Sequence, residues 1–403
     1  MIAGKNISKD KIKFEPFDDC YPCYGGNGKR GFVNTYNYNG RYSIIGRQGA
    51  LCGNINMAEG KFYATEHAVV VTLYDNIDFF WNMYILEALN LNQYSTGAAQ
   101  PGLSVANILN VIIPLPPYKE QIRISNKLFS AIEVIKSIDR DKTDLQDTIQ
   151  LTKSKILDLA IRGKLVPQDL NDEPARALLE RIRAEKQELI KQGKIKPDKR
   201  DSVIFKGDDN SYYETIGNQT KNIDSEIPFD LPDGWEWCNL SMIGQTNIGL
   251  TYNPTSVSSS GTIVLRSSNI INSHLDFTDL VRVNTKIRDN QFVENNDILI
   301  CARNGSKSLV GKCALIKNLK ERASFGAFMA IYRTICYNYV FCFFQTNVFR
   351  DIFFDGNSTA INQLTQSMIK NARIPLPPLN EQKRIADKVT QLFSLLDYIS
   401  DSL

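Results

Sequence analysis

The sequence predicts an α+β protein. Two similar β-rich domains, each a mixed sheet plus helices, are separated by two long antiparallel helices that pair as a coiled coil. Three observations carry this expectation. Residues 113–128 (IPLPPYKEQIRISNKL) and 374–389 (IPLPPLNEQKRIADKV) agree at ten of sixteen positions, at an offset of 261. The residues upstream of each copy also agree. Behind each copy, apolar residues recur at helical spacing.

A period this long excludes a solenoid and points to duplication of a whole domain with its connector. In the first half, SIIGRQGALCGNI (43–55) reads as strand ending in a Gly/Arg turn, and it resembles DILICARNGSKSLVGKC (297–313) in the second. An aromatic helix is expected over 78–95, then a loop (TGAAQPGLS), a short helix (VANILNV) and an extended IPLPP. The second half repeats this with a helix over 338–354, a loop (DGNSTAINQLT), QSMIKNAR and IPLPP. Leu103 matches Leu364, Ser104 matches Thr365 and Ile108 matches Ile369.

Proline lacks an amide donor and restricts the residue before it, so PLPP stops what precedes it. A helix can start directly behind, because proline is tolerated in a first helical turn. From Leu128 the apolar residues Ile132, Ile135, Ile138, Leu145, Ile149, Ile156 and Leu159 form one stripe that continues to Leu165. About 45 residues at 1.5 Å each make a rod of roughly 65–70 Å. Its natural partner is the second stripe, Ile385, Val389, Leu392, Leu396 and Ile399. A further helix is expected over 173–192 with Asp172 as its N-cap. The polar, turn-rich run after Gly193 reads as a linker. The second domain then opens at IPFDLPDGWEWCNL, with Trp235 and Trp237 at strand spacing.

Several kinds of chemistry have no motif here. There is no GxxxxGK[ST] loop, no GxSxG and no paired-histidine metal site among the two histidines. Pro116-Pro117-Tyr118 follows leucine, not the Asp or Asn that amino-methyltransferases place there. Of eight cysteines only Cys20 and Cys23 are closely spaced, which reads as buried thiols in a reducing compartment rather than zinc ligands. No apolar run approaches a membrane span or a signal peptide, so a cytoplasmic location is expected.

The net charge of +3 neither demands nor excludes nucleic acid. Both halves, however, carry basic, glycine-rich polar turns. The first has Lys5, then Asn27, Lys29 and Arg30 in YGGNGKRG, then Arg47 and Gln48. The second has Arg266, Ser267 and Asn269, then Arg303, Asn304 and Lys307. Arg and Lys suit guanine edges and phosphates, and Asn and Gln suit adenine. One such turn is usually only a solvated loop. Their recurrence in both halves makes these twelve residues the candidate DNA contacts.

The doubled PLPP-x-x-EQ-x-R-I stretches, ILDLAIRGKLVPQDLNDEPARALLERIRAEKQELIKQGKIK (156–196) and LPDGWEWCNL (231–240) resemble specificity (S) subunits of type I restriction–modification systems. The resemblance implies a non-catalytic DNA reader with two target-recognition domains, each reading half of a split sequence. It implies double-stranded DNA, two methyltransferase subunits and restriction/translocase subunits as partners. Those partners, not this chain, bind S-adenosylmethionine, ATP and magnesium. The domains expected are a first target-recognition domain (1–117), a central spacer helix (118–167), a helical extension and polar linker (168–225), a second target-recognition domain (226–378) and a distal spacer helix (379–403). Glu120, Gln121, Arg123 and Ile124, with Glu381, Gln382, Arg384 and Ile385, mark the helix ends expected to meet the partners. Two departures stand out. The first half has no counterpart of LPDGWEWCNL, and the last helix is about half the length of the first. Both suggest a chain shortened at its two ends, which leaves Leu145–Leu165 without an intramolecular partner. The alternative is a shortened or silent copy that binds methyltransferase, or serves as a recombination donor, without reading DNA.

Overall fold

The computed structural model describes residues 1–49, 51–96, 102–193, 202–353 and 363–403. Residue 50, most of the expected loops at 96–104 and 355–365 (97–101 and 355–362), residue 354 at the end of the expected aromatic helix and the linker stretch 194–201 lie outside the described residues. Two compact units are present, Met1–Asp141 and Lys142–Leu403. The division falls inside a helix rather than at residue 117, because the first turns of that helix pack on the first unit.

In the first unit, β1 (Ile2–Ala3), β2 (Tyr21–Gly25), β3 (Gly28–Val33), β4 (Tyr38–Asn39), β5 (Tyr42–Gly46), β6 (Ile55–Ala58), β7 (Lys61–Ala64) and β8 (Ala68–Val71) precede α1 (Phe79–Ala88), α2 (Val105–Leu109) and α3 (Tyr118–Ile161). They make two four-stranded sheets, ordered β1-β8-β5-β6 and β3-β2-β7-β4. Ile44, Phe62, Ala64 and Val70 are fully or almost fully buried on one side of this unit, and Ile45, Val69 and Leu103 on another.

The second unit adds α4 (Ala175–Lys191), β9 (Ser202–Lys206), β10 (Tyr212–Ile216), β11 (Gln219–Asn222), β12 (Glu236–Asn239), α5 (Leu240–Ile243), β13 (Gln245–Ile248), β14 (Val257–Ser258), β15 (Thr262–Leu265), β16 (Ile270–Ile271), β17 (His274–Leu275) and β18 (Val281–Val283). It closes with β19 (Ile298–Cys301), β20 (Cys313–Leu315), β21 (Ala323–Phe325), β22 (Met329–Arg333), α6 (Tyr337–Phe344), α7 (Asn347–Asp351), α8 (Gln366–Asn371), β23 (Arg373–Leu376) and α9 (Leu379–Asp401). Its sheet β13-β22-β19-β20 repeats the order β1-β8-β5-β6. In its other large sheet β15 pairs antiparallel with β18 and parallel with β21, as β2 does with β3 and β7. The duplication expected from two short stretches thus extends to strand order and strand sense.

Several expectations are corrected. Residues 202–222, taken as linker, form the antiparallel sheet β11-β10-β9. Ile204 and Tyr212 pack with Trp237, and Asn239 donates to the buried Glu214 at 2.7 Å. The pairing of that sheet outweighs its polar composition, and Gly217, with φ of 59°, makes its tight turn. α3 ends at Ile161, before Leu165, because Gly163 turns left-handed (φ 66°) and Lys164 N–H returns to Leu159 O at 2.9 Å. α4 is capped at Pro174, not Asp172. The Asp172 carboxylate instead accepts from Arg384 at 2.6 Å. The aromatic helix at 338–354 is two helices, since Thr346 caps a new one by accepting from Phe349 N–H. The first aromatic helix likewise stops at Ala88 and continues only as a short 3-10 turn.

Within the second unit α3 and α9 run antiparallel. Lys142 donates to Leu403 O, and Lys153 pairs with Asp397. This reverses the expected coverage of the stripe. Ile149, Ile156, Leu157 and Ile161 are buried, whereas Leu128, Ile135, Ile138 and Leu145 are exposed. An antiparallel partner that begins beside the end of α3 covers that end first. No described helix is long and apolar enough to cross a membrane.

Candidate nucleic-acid interface

Each unit holds an open cleft at the same place in its fold, and backbone hydrogen bonds set the correspondence. Lys5 N–H donates to Ala64 O at 3.0 Å, as Leu250 N–H does to Phe325 O at 2.7 Å. Thr65 N–H donates to Tyr24 O and Gly326 N–H to Leu265 O, both at 2.9 Å. Arg47 N–H donates to His67 O at 3.0 Å, and Ala302 N–H to Phe328 O at 2.9 Å. Leu103 N–H donates to Arg47 O and Leu364 N–H to Ala302 O, both at 2.8 Å. Glycine is needed where the chain enters each cleft. A Cβ on Gly4 would lie 2.2 Å from Ala64 O, and one on Gly249 would lie 2.2 Å from Gly326 O.

This register places Gln48 opposite Arg303, His67 opposite Phe328, and Arg47 opposite Ala302. Aligned on their arginines, RQG (47–49) and RNG (303–305) would match Arg47 with Arg303; the backbone bonds match Arg303 with Gln48 instead. Arg47 is half-buried, with Nη1 donating to Glu66 O at 3.4 Å, so it braces the loop below the cleft.

The first cleft, about 560 Å³, is lined by Asn27, Arg30, Gln48, Glu66 and His67, with Ser8 and Lys9 on its rim. Asn27 is exposed and accepts from Asn54 Nδ2 at 3.3 Å. Glu66 and His67 lie 3.1 Å apart. Lys5 and Lys29 are exposed outside the lining, and Lys29 caps the Phe32 ring at 4.6 Å. The second cleft, about 1040 Å³, is lined by Tyr252, Arg266, Ser267, Arg303, Asn304 and Phe328. The exposed Arg303 guanidinium sits 5.7 Å from the Phe328 ring, which is itself 62% exposed. Arg266 is tied to Asp279 at 2.8 Å, and Asn304 Nδ2 donates to Ser267 Oγ at 3.4 Å. Lys307 is exposed beyond the lining.

Asn269 is corrected as a DNA contact. It is 1% exposed, its Oδ1 accepts from Arg266 N–H, and its Nδ2 donates to Asp276 O and Asp279 O. Its side chain is used up in holding the turn. Sequence reasoning missed Ser8, Lys9, Glu66, His67, Tyr252 and Phe328, because neither cleft is contiguous in sequence. Glu66 and His67 could have been found by aligning the halves residue by residue from Gly4 and Gly249.

The eight helix-start residues divide sharply. Glu381, Gln382 and Ile385 are buried in their own unit, and Arg384 pairs with Asp172, so these four are corrected as partner contacts. Burial raises the Glu381 carboxyl above its ordinary value, although Trp235 Nε1–H donates to it at 3.0 Å. Gln121 is buried, Ile124 is half-buried, and Glu120 and Arg123 are exposed.

Among the described residues no three His, Cys, Asp or Glu side chains are grouped to hold a metal. Burial pushes the thiols of Cys313 and Cys342 up to about 12, which leaves them without nucleophilic character near neutral pH.

The sequence profile described as "Type I restriction modification DNA specificity domain" matches residues 2–146 and 232–401. The chain is 32% identical over 254 residues to the type I restriction enzyme EcoAI specificity subunit of Escherichia coli, covering 61% of this chain and 40% of that one. It is 46% identical over 128 residues to the EcoprrI specificity subunit of Escherichia coli, 31% of each chain. The matched stretches therefore span less than half the length of these relatives. Among solved structures, a chain from work on complex assembly and conformational transition of the type I R-M system superposes with a TM-score of 0.64 at 15% identity, covering 100% of this chain and 89% of that one. The HsdS subunit of Thermoanaerobacter tengcongensis gives 0.50 at 14% identity, covering 99% and 88%. At such identity these two speak for the fold alone.

Proposed function

The chain belongs to the type I restriction modification DNA specificity domain family, and on that premise we propose that it reads a bipartite DNA target and directs partner subunits to it without catalysis of its own. Residues 1–117 and 226–378 are assigned as the two target-recognition domains, and 118–167 and 379–403 as spacer helices. The observation that carries this reading is the pair of equivalent clefts. The same backbone frame presents an amide at Gln48 in one and a guanidinium at Arg303 in the other. Equivalent frames with unlike readers suit two half-sites of different sequence. Gln48 is assigned to adenine and Arg303 to guanine, while Lys5, Lys29, Arg30 and Lys307 are placed to meet phosphates.

The 44 residues of α3 rise about 66 Å. We place two methyltransferase subunits, which supply S-adenosylmethionine chemistry, along the exposed apolar stripe Leu128–Leu145, with restriction/translocase subunits joining them.

Reconstitution with a cognate methyltransferase, followed by sequencing of methylated adenines, tests the reading. A split motif with a fixed gap is the expected result. Methylation by the purified chain alone would overturn it. The exposed stripe also favours a second reading, a chain that assembles with methyltransferase but does not select DNA. A stable complex that leaves DNA unmethylated would support that one.

A further inference from the structure

The second cleft holds one large apolar side chain in the open. Phe328 stands in the turn between β21 and β22, 62% exposed, while Gly326 and Met329 on either side of the turn are buried. Its ring joins none of the unit's hydrophobic clusters. A single exposed apolar residue is ordinary, but this one is held in place. Its backbone O accepts from Ala302 N–H at 2.9 Å and from Arg303 N–H at 3.0 Å. Gly326 N–H donates to Leu265 O at 2.9 Å, and Gly249 N–H donates to Met329 O at 3.1 Å. The turn is thus pinned to three other segments. Binding does not have to order it, which favours whatever the ring meets.

The surroundings of the ring are polar. Arg266, Ser267, Arg303 and Asn304 line the same cleft, and the Arg303 guanidinium lies 5.7 Å from the ring. Such a lining suits a base edge that sets a methyl group beside polar atoms. Arg303 is assigned above to guanine O6 and N7, which face the major groove. There the thymine C5-methyl is the apolar group that phenylalanine can meet. At their separation, guanidinium and ring can reach neighbouring base pairs, which stack about 3.4 Å apart. The first cleft lacks this surface. The register that sets Thr65 opposite Gly326 sets Glu66 opposite Ala327 and His67 opposite Phe328. His67 lies 3.1 Å from the Glu66 carboxylate. A methyl group pressed on that pair would strip water from a charge without replacing it.

We propose that Phe328 is a specificity residue of the second cleft, where its ring takes the C5-methyl group of a thymine in the base pair next to the guanine met by Arg303. The inference rests on the DNA reading of the clefts and narrows it. The half-site of the second unit contains a guanine flanked by an A·T or T·A pair. The half-site of the first unit gains nothing from a methyl group at the position facing His67.

The test uses the chain reconstituted with its cognate methyltransferase, once the methylated split motif is known. Duplexes of that motif are prepared with each thymine in turn replaced by uracil. Uracil lacks only the methyl group, so base pairing and the polar pattern of the groove are kept. In competition binding, one thymine should matter in the half-site that Arg303→Ala relaxes. Its replacement should weaken binding about fourfold, as expected for one buried methyl group. Phe328→Ala should bind the thymine and uracil duplexes equally, and Phe328→Leu should restore part of the difference. The residue is exposed, so both variants should keep the parent thermal midpoint. The proposal is overturned if the complex selects its motif but no thymine–uracil difference depends on residue 328. That result leaves the DNA reading standing. A half-site with no thymine beside its guanine overturns it in the same way. Equal loss by Phe328→Ala on every sequence would place the ring against the sugar-phosphate backbone and also overturn it. A complex that binds all sequences alike removes the DNA reading itself, and this inference with it.

Discussion

Gln48 and Arg303 occupy one structural position with two chemistries. A guanidinium can meet guanine O6 and N7 together, and an amide can meet adenine N6 and N7. Each such pair contributes about 1–3 kcal/mol of discrimination. Arg303→Ala is therefore expected to relax one base position in one half-site, with roughly that loss, in competition binding by the reconstituted complex. Gln48→Ala should do the same in the other half-site. Equal loss on every sequence would instead make these residues phosphate anchors. Arg47→Ala should behave differently, because its guanidinium braces Glu66 O. Lower thermal stability with unchanged base choice is expected. The residue types of the site were legible in the sequence, but their register was not. Arg-x-Gly and Arg-Asn-Gly align naturally on their arginines. Phe328 O accepts from both Ala302 and Arg303, so the shift shows in the bonds from Leu103 to Arg47 O and from Leu364 to Ala302 O. Asn269 misled for a related reason. An asparagine in a polar turn satisfies its own backbone as readily as it greets a ligand.

The three-stranded sheet β9–β11 shows how an element hides in polar sequence. Its residues Ile204 and Tyr212 pack inward, but the stretch leading into Tyr212 (207–211) is Gly-Asp-Asp-Asn-Ser. The signal was the Gly217–Asn218 turn between two alternating stretches, which a composition argument passes over. By contrast α3 and α9 were legible because a stripe needs only spacing. Their ends depended on Gly163 and on a cap, which spacing does not fix. The sheet is locked by Glu214, which accepts from Arg373 at 2.9 Å and from Asn239 at 2.7 Å. Burial opposes the charge on Glu214, yet the Arg373, Ser202 and Asn239 hydrogen bonds outweigh it and hold the carboxyl below its ordinary 4.5. A carboxyl depressed in the folded state lends stability that is whole above its unfolded pKa. That stability is lost as pH falls through the folded value. Denaturant melts of the parent should therefore weaken below about pH 4.5 by more than those of Glu214→Gln. At pH 7, Arg373→Ala should cost ~3 kcal/mol, because it strands a buried carboxylate. A parent and a Glu214→Gln variant with identical acid profiles would remove this pair from the account.

At the scale of the molecule, duplication was read from the two PLPP stretches and the runs upstream of them, and it extends to the strand order of both large sheets. What the sequence could not convey was which parts of the repeat are complete. The stripe of α3 reads the same before and after Leu145, yet Ile149 onward is covered by α9 and the preceding turns are open. Coverage is a property of the partner's direction, which spacing along one helix does not encode. Each unit also has a core of its own. Ile44 is packed with Phe62 and Val70, while Ile300 is packed with Tyr332 and Phe344. Both isoleucines are 0% exposed, so truncation to alanine removes buried contacts and leaves a cavity worth about 2–5 kcal/mol. If each core closes its unit independently, calorimetry should resolve two transitions. Ile44→Ala should then lower one midpoint and Ile300→Ala the other. The larger core of the second unit, which includes the end of α3 and the start of α9, should carry the larger enthalpy. One transition that both variants lower equally would mean that the repeat folds as a single cooperative body. Independent recognition units would then need support from DNA competition rather than from stability.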